Sequence, residues 1–458
     1  MLLRFGALLL LLTVVDPDPR AAAFGRKQGL RTQLADGAPY DLARYERKLR
    51  QLSATQFLPH DECLALAARW RSAPPPRGAP PPHAGGSDAR LGDLLENWNP
   101  SRHVLSLPRK PLRPALCRFH WAEPSQRAAA LVMLGAEVPF VVAGAPSVHR
   151  ASARWSWRYL AGQLRGGTRL TEMSKGARFL FWDQGVANAL PLAAQLNFSA
   201  PTAKMFTTYR AWRRSARIKL ERAMAIAGRR ERAGGADDEG GGGGADANAA
   251  APQRRAPAAE ASFRQSKFAT MLLNSKRDPW IEEELPLFRA RQQGGDGASV
   301  AGDGGGDGDD ESVLLGTAQE STAAAHRGTH CRLAMPSSAS AVHFDAGRNM
   351  VAMIAGHRRY VLLRPTQCPK LELLPMGHPS ARHSSASWLG SARAVGSKHP
   401  LLASAMASEL VLSPGELLHI PSFFFHHITS LDVSLQCNSR AGSPQDSRSA
   451  ETMKNCGF

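Results

Sequence analysis

Ser340-Ala341-Val342-His343-Phe344-Asp345-Ala346-Gly347-Arg348-Asn349, answered far downstream by Pro421-Ser422-Phe423-Phe424-Phe425-His426-His427-Ile428, is the pair of stretches that decides the fold. Side chains alternate along an extended strand, so His343 and Asp345 share one face and Phe344 takes the other. Two imidazoles and one carboxylate can hold Fe(II) on one side and leave its other side open for chemistry. One strand supplies only two such ligands. The third must come from a strand distant in sequence and adjacent in space, as a double-stranded β-helix or jelly roll provides. His426 meets that requirement, whereas His427 on the same strand faces the opposite way. Singly, each residue reads as an ordinary polar turn or core histidine; the ordered set carries the metal reading.

Working outward, Met350 to Ala355 and Tyr360 to Leu363 are apolar runs separated by Gly356 and the paired Arg358 and Arg359, and they read as strand, hairpin, strand. Glu409 to Leu412 and Glu416 to Ile420 are two more strand-like runs, with Pro414-Gly415 as the turn between them. A Gln436-Cys437-Asn438 strand closes the set. The expected class is mainly β, a jelly roll of the cupin/JmjC kind, with flanking N-terminal helices and disordered insertions.

With these motifs in view, the chain resembles the JmjC and cupin-like 2-oxoglutarate oxygenases, and among them the hydroxylases of the factor-inhibiting-HIF type. Pro139-Phe140-Val141-Val142, Trp155, Tyr159-Leu160 and Arg178 to Asp183 resemble that family's opening segment, and Leu374 to Pro379 with Arg382 resemble its loop after the second strand. The resemblance runs from about Ala129 to Gly442 and implies Fe(II) and 2-oxoglutarate as cofactors, with His343, Asp345 and His426 as the metal ligands. It further implies that Ser340 and Arg358 hold the far carboxylate of 2-oxoglutarate, Arg358 standing where the family usually has Lys, and that Asn349 and Asn438 line the same pocket. Phe424 stands where Trp is common. The family's tyrosine-bearing strand is not evident; Phe268 to Leu273 and Trp280 to Phe288 read as pieces of its helical segment before the barrel. The implied activity is dioxygen-dependent hydroxylation of a protein side chain. Arg358 in place of Lys motivates an alternative, a non-catalytic jelly-roll binding protein, and a cupin using another metal without 2-oxoglutarate is a third reading.

The rest of the chain bounds this picture. With 458 residues, 43% of them hydrophobic, it can bury one large core and a smaller helical region. Met1 to Ala23 has a charged start, a short apolar run and a small-residue junction, the pattern of a signal peptide, so the expected destination is the secretory pathway, in the ER lumen or outside the cell, or a plastid through a bipartite signal. No later stretch approaches the roughly 18 apolar residues of a membrane helix, and no membrane partner is expected after cleavage. Residues 24–128 read as a helical region, Tyr40 to Arg71 being helical in pattern, with a Pro-rich linker at Ala73 to Pro82. The catalytic domain is expected over 129–442, with low-complexity insertions at about 234–261 and 294–310, and 443–458 as a C-terminal tail. Asn197-Phe198-Ser199 is a glycosylation acceptor where exposed in a lumen.

Six cysteines without a C-x-x-C pair argue against a zinc site and against a disulfide scaffold; one or two bridges could form in an oxidising lumen, in pairings that spacing leaves open, and Cys437 reads as a core residue. A net charge of +18 raises a nucleic-acid reading. The basic residues are mostly scattered arginines, however, and the dense stretch Arg210 to Arg232 has only Tyr209 and Trp212 as neighbouring aromatics. It reads as a solvated helix leading into a loop, and no nucleic-acid partner is expected.

Overall fold

Fifteen strands, β1 to β15, form two sheets in the computed structural model, which describes residues 40–73, 88–190, 199–233, 255–289, 311–315, 328–442 and 447–458. They are β1 (Ala89–Arg90), β2 (Cys117–His120), β3 (Phe140–Ala143), β4 (Thr168–Ser174), β5 (Arg178–Phe179), β6 (Thr202–Thr208), β7 (Phe268–Asn274), β8 (His330–Ala334), β9 (Ala339–Phe344), β10 (Arg348–Ala355), β11 (Arg358–Leu363), β12 (Met406–Leu412), β13 (Glu416–Ile420), β14 (Phe425–Ser430) and β15 (Ser434–Ala441). One sheet has the order β1-β12-β11-β14-β9-β5 and the other β2-β3-β13-β10-β15-β8-β7-β4-β6. From β8 onward the chain passes repeatedly from one sheet to the other, which is how a jelly roll places sequence-distant strands side by side.

This crossing corrects one expectation. β10 and β11 do not form a hairpin, because β10 pairs with β13 and β15 whereas β11 pairs with β12 and β14. Gly356 turns the chain between layers at φ +70, and a Cβ there would lie 2.3 Å from Asp432 Oδ1 and 2.5 Å from the Val433 carbonyl. Only glycine fits so close a crossing. The Pro414-Gly415 turn likewise joins β12 in one sheet to β13 in the other.

Between the sheets lies an apolar layer that includes Val351, Met353, Tyr360, Leu362, Leu410, Leu418, Ile420 and Phe424. On the other face of the six-stranded sheet, Phe344, Val361, Leu363 and Phe425 join a separate outer cluster, together with Phe423 of the loop before β14. The helices Leu42–Thr55 and His60–Ser72 realise the N-terminal helical pattern. Helix Tyr209–Arg232 is less solvated than expected, since Tyr209, Trp212, Ala216, Lys219, Ala223 and Ile226 bury one face of it. Phe268 to Leu273, read as part of a helical segment, is strand β7; its β-sheet neighbours β4 and β8 override the ambiguous apolar run.

All six cysteines are paired, as Cys63–Cys117, Cys331–Cys437 and Cys368–Cys456, against the expectation of no scaffold. Cys437 is buried in the core as read, but directly opposite Cys331 in the β8–β15 ladder. The sequence separations of 54, 106 and 88 close long loops, each restricting the unfolded chain by on the order of 4 kcal/mol in the chain-entropy picture. The C-terminal tail packs through buried Met453 and through Phe458, whose ring meets Phe344 edge-on at 5.2 Å. Of the segment read as an insertion at 234–261, residues 255–261 belong to helix Arg255–Gln265. Its remainder, the insertion at 294–310, the leader, Asn197 and the linker beyond Ala73 lie outside the described residues.

Candidate metal centre

β9 and β14 are antiparallel neighbours in which His343 and His426 are direct register partners. Asp345 follows β9 by one residue, on the His343 side. One donor atom from each of His343, Asp345 and His426 falls within 4.8 Å of the others. The imidazole centroids are 4.2 Å apart, and His426 Nε2 lies 3.9 Å from Asp345 Oδ2. His427 faces outward as read, its ring stacked on Trp388 at 4.2 Å.

Both histidines are held in one tautomer by their own strands. His343 Nδ1 is 2.7 Å from the Ala341 carbonyl and His426 Nδ1 is 3.0 Å from the Phe424 carbonyl. A carbonyl only accepts, so each Nδ1 carries the hydrogen and each Nε2 keeps its lone pair for a ligand. Burial holds the His343 pKa well below the usual imidazole range and lowers that of His426, so both rings are neutral at pH 7. The donor chemistry fits a divalent metal.

Asp345 is positioned by β10 and β15. Asn349 donates to Asp345 Oδ2 at 3.1 Å, and Asn438 donates to Asn349 Oδ1 at 3.0 Å. The two asparagines read as pocket-lining thus form a chain behind the carboxylate. Arg440, which the sequence reading missed, pairs with Asp345 Oδ1 at 2.9 Å. The inner face of β15 is a period-two polar ladder: Ser434 accepts from Arg358, Gln436 from Tyr360, and Asn438 and Arg440 serve Asn349 and Asp345. That alternation was legible in Ser434-Leu435-Gln436-Cys437-Asn438-Ser439-Arg440.

Ser340 stands at an odd spacing from His343 and would face outward on a regular strand. The register slips between the His426–His343 and Ile428–Ser340 pairs, and the bulge returns Ser340 to the inner face. There Ser340, Ile428, Ser430 and Arg358 line a narrow cavity of about 30 Å³, together with Glu172, Thr270 and Arg332. Arg358 is buried; it donates from Nε to Ser434 Oγ at 2.9 Å and from Nη2 to the Arg332 carbonyl at 2.8 Å. Burial lowers its pKa to about 10, so it stays a cation at neutral pH, and no carboxylate pairs with it among the described residues. Glu172 on the same cavity pairs instead with Arg332 at 3.7 Å. Arg359 points outward, where Glu409 takes its Nε at 2.8 Å.

One further imidazole adjoins the centre. His383 stacks on His343 at 4.8 Å with 7° between the rings, and Phe181 stacks on His383 at 6.1 Å. Nothing in its sequence context announced it, because it lies in an irregular loop. Of Phe423, Phe424 and Phe425, only Phe424 faces the inner layer.

A family model for a cupin-like domain matches residues 132–439. Lysine-specific demethylase JMJ31 of Arabidopsis thaliana is 26% identical to the chain over 107 residues, which make up 22% of this chain and 18% of that protein. The match therefore spans under a fifth of that relative's length.

Proposed function

The chain belongs to the cupin-like domain family, and from that premise we propose that it is an Fe(II)- and 2-oxoglutarate-dependent dioxygenase of the JmjC type that hydroxylates a protein side chain. The observation that carries the reading is the convergence of His343, Asp345 and His426, with both Nδ1 positions committed to backbone carbonyls and both Nε2 lone pairs free. His343, Asp345 and His426 would hold the iron. Bound iron and 2-oxoglutarate supply oxygen activation, yielding succinate, carbon dioxide and an oxygen atom inserted into a substrate C–H bond.

The residues' own part is placement. Arg358 is a buried cation lacking a carboxylate, and a buried unpaired charge is costly. The far carboxylate of 2-oxoglutarate would complement its charge, with Ser340 beside it. Asn349, Asn438 and Arg440 hold the Asp345 carboxylate in place, and Phe424 and Ile428 limit water around the inner face. The motif resemblance to the factor-inhibiting-HIF-type hydroxylases favours hydroxylation as the end product, while the demethylase relative supports a protein substrate. Pairing of all six cysteines supports a secretory-pathway location, since disulfides persist in oxidising compartments.

The test is succinate formation from 2-oxoglutarate by purified protein under Fe(II), coupled to mass spectrometry of lumenal and secreted proteins for side chains heavier by one oxygen atom. Succinate with an oxygenated product supports the reading, and loss of a methyl group would redirect it to demethylation. The narrowness of the cavity beside Arg358 favours one second reading, a non-catalytic jelly-roll binding protein. Protein that neither binds iron nor forms succinate would establish that alternative.

A further inference from the structure

A sizeable cavity lies away from the candidate metal centre. It measures about 680 Å³ and runs between the end of helix Trp157–Gln163 and the first turns of helix Tyr209–Arg232. Arg165, Arg210, Arg213, Arg214 and Arg217 line it, and no acidic residue among the described residues does. Arg217 has a neighbour in Glu221 at 3.4 Å, but both are exposed and such a pair contributes little. Five guanidinium groups around one concavity make a strongly positive field, which draws in anionic groups.

Thr208, the last residue of β6, lines the groove, and among the described residues the outer edge of β6 has no strand partner. β6 is the last strand of its sheet, paired only with β4, and Thr208 and Tyr209 connect it to the arginine-bearing helix. Met205 and Phe206 are 43% and 62% exposed, large values for apolar side chains on a strand. An edge of this kind presents backbone donors and acceptors to which an extended chain can add a strand.

The same edge leads to the metal. Lys204 on β6 places its Nζ 5.9 Å from the centroid of the Phe181 ring, Phe181 stacks on His383, and His383 stacks on His343. Along the strand, Lys204 is about 13 Å from the arginine end at roughly 3.3 Å per residue. A segment lying on β6 would thus have one part among the arginines and another beside the mouth of the metal centre.

We propose that this groove and the β6 edge dock an extended, acidic protein segment, the substrate chain, with its carboxylates on Arg210, Arg213, Arg214 and Arg217 and its apolar residues on Met205 and Phe206. The assignment of that segment as substrate rests on the oxygenase reading; its binding does not. Single-stranded nucleic acid fits less well, because Tyr209 in the groove is buried against Trp212 and offers no stacking face, which leaves Phe206 on the strand edge as a single exposed ring rather than a run of stacking platforms.

The experiment is fluorescence anisotropy of the full chain with a labelled peptide of alternating glutamate and valine, challenged with a single-stranded oligonucleotide and with a sulfated polysaccharide. Two exposed-site variants are compared with wild type: the triple change Arg210→Gln, Arg213→Gln, Arg217→Gln, and Phe206→Asp, each checked for an unchanged melting temperature. Binding weakened about tenfold by each variant, with the peptide resisting displacement by both polymers, is the expected result. Equal binding by wild type and both variants overturns the proposal, as does preferential binding of the oligonucleotide or polysaccharide. Succinate formation by wild type is measured separately: arginine-dependent peptide binding without it would remove the oxygenase reading and leave the groove, and the reverse pattern would remove the groove alone.

Discussion

The inner and outer faces of the six-stranded sheet carry the same kinds of residue and use them oppositely. His426 and Arg358 face inward, while their immediate neighbours His427 and Arg359 face outward on the same two strands. Outward, Arg359 is matched by Glu409 and lies over the Trp98 ring at 5.3 Å, and His427 is closed off by Trp388. Inward, His426 keeps a free lone pair toward His343 and Asp345, and Arg358 donates to Ser434 and the Arg332 carbonyl, with no carboxylate paired directly to it among the described residues. Composition does not separate structure from function here. What separates them is whether a polar group's partners are supplied by the fold or left for a ligand.

The largest expected effect comes from emptying the inner face. Asp345→Ala should bring iron content and succinate formation to background while the protein stays folded, read by metal analysis and circular dichroism; retained iron would mean that the ligands lie elsewhere. On the outer face, Glu409→Ala leaves Arg359 buried and alone, and should cost about 3–5 kcal/mol in chemical denaturation with iron affinity unchanged. A shared loss of iron would erase the distinction between the faces.

His419 sharpens the contrast, because it is a buried histidine turned away from the candidate metal centre, with Nδ1 on the Val138 carbonyl at 3.1 Å. Burial lowers its pKa to about 3, below the roughly 6.5 of an unfolded chain. As pH falls, the unfolded state therefore takes up the proton first. The contribution is complete above pH 6.5 and is lost progressively toward pH 3, on the order of 3 kcal/mol between pH 6.5 and 4. His419→Asn should flatten the pH dependence of denaturation in that window, and an unaltered slope would contradict the assignment. The smallest effect is the most particular: Arg358→Ala should raise the KM for 2-oxoglutarate about tenfold while leaving folding stability equal or higher, since a buried unpaired cation is removed. An unchanged KM would deny Arg358 its role.

Much of this division was legible in the sequence wherever period-two alternation held. His343 and Asp345 sharing a face, His426 set against His427, and the need for a rolled sheet all follow from alternation. Ser340 needed a resemblance, because a bulge invisible to periodicity puts it on the inner face. The Gly356 turn was legible as a turn and not as a crossing between sheets, since strand pairing is decided by residues far away. Arg440 and His383 escaped because ion pairing and ring stacking are set by tertiary approach. The three disulfides escaped for the same reason: spacing alone does not say that Cys331 lies opposite Cys437.

The central claim is that one of two adjacent histidines holds metal and the other does not. Iron per chain, measured after anaerobic Fe(II) loading and desalting, should fall to background in His426→Ala and stay at the wild-type level in His427→Ala. Iron retained by the first variant, or lost equally from both, would contradict the account.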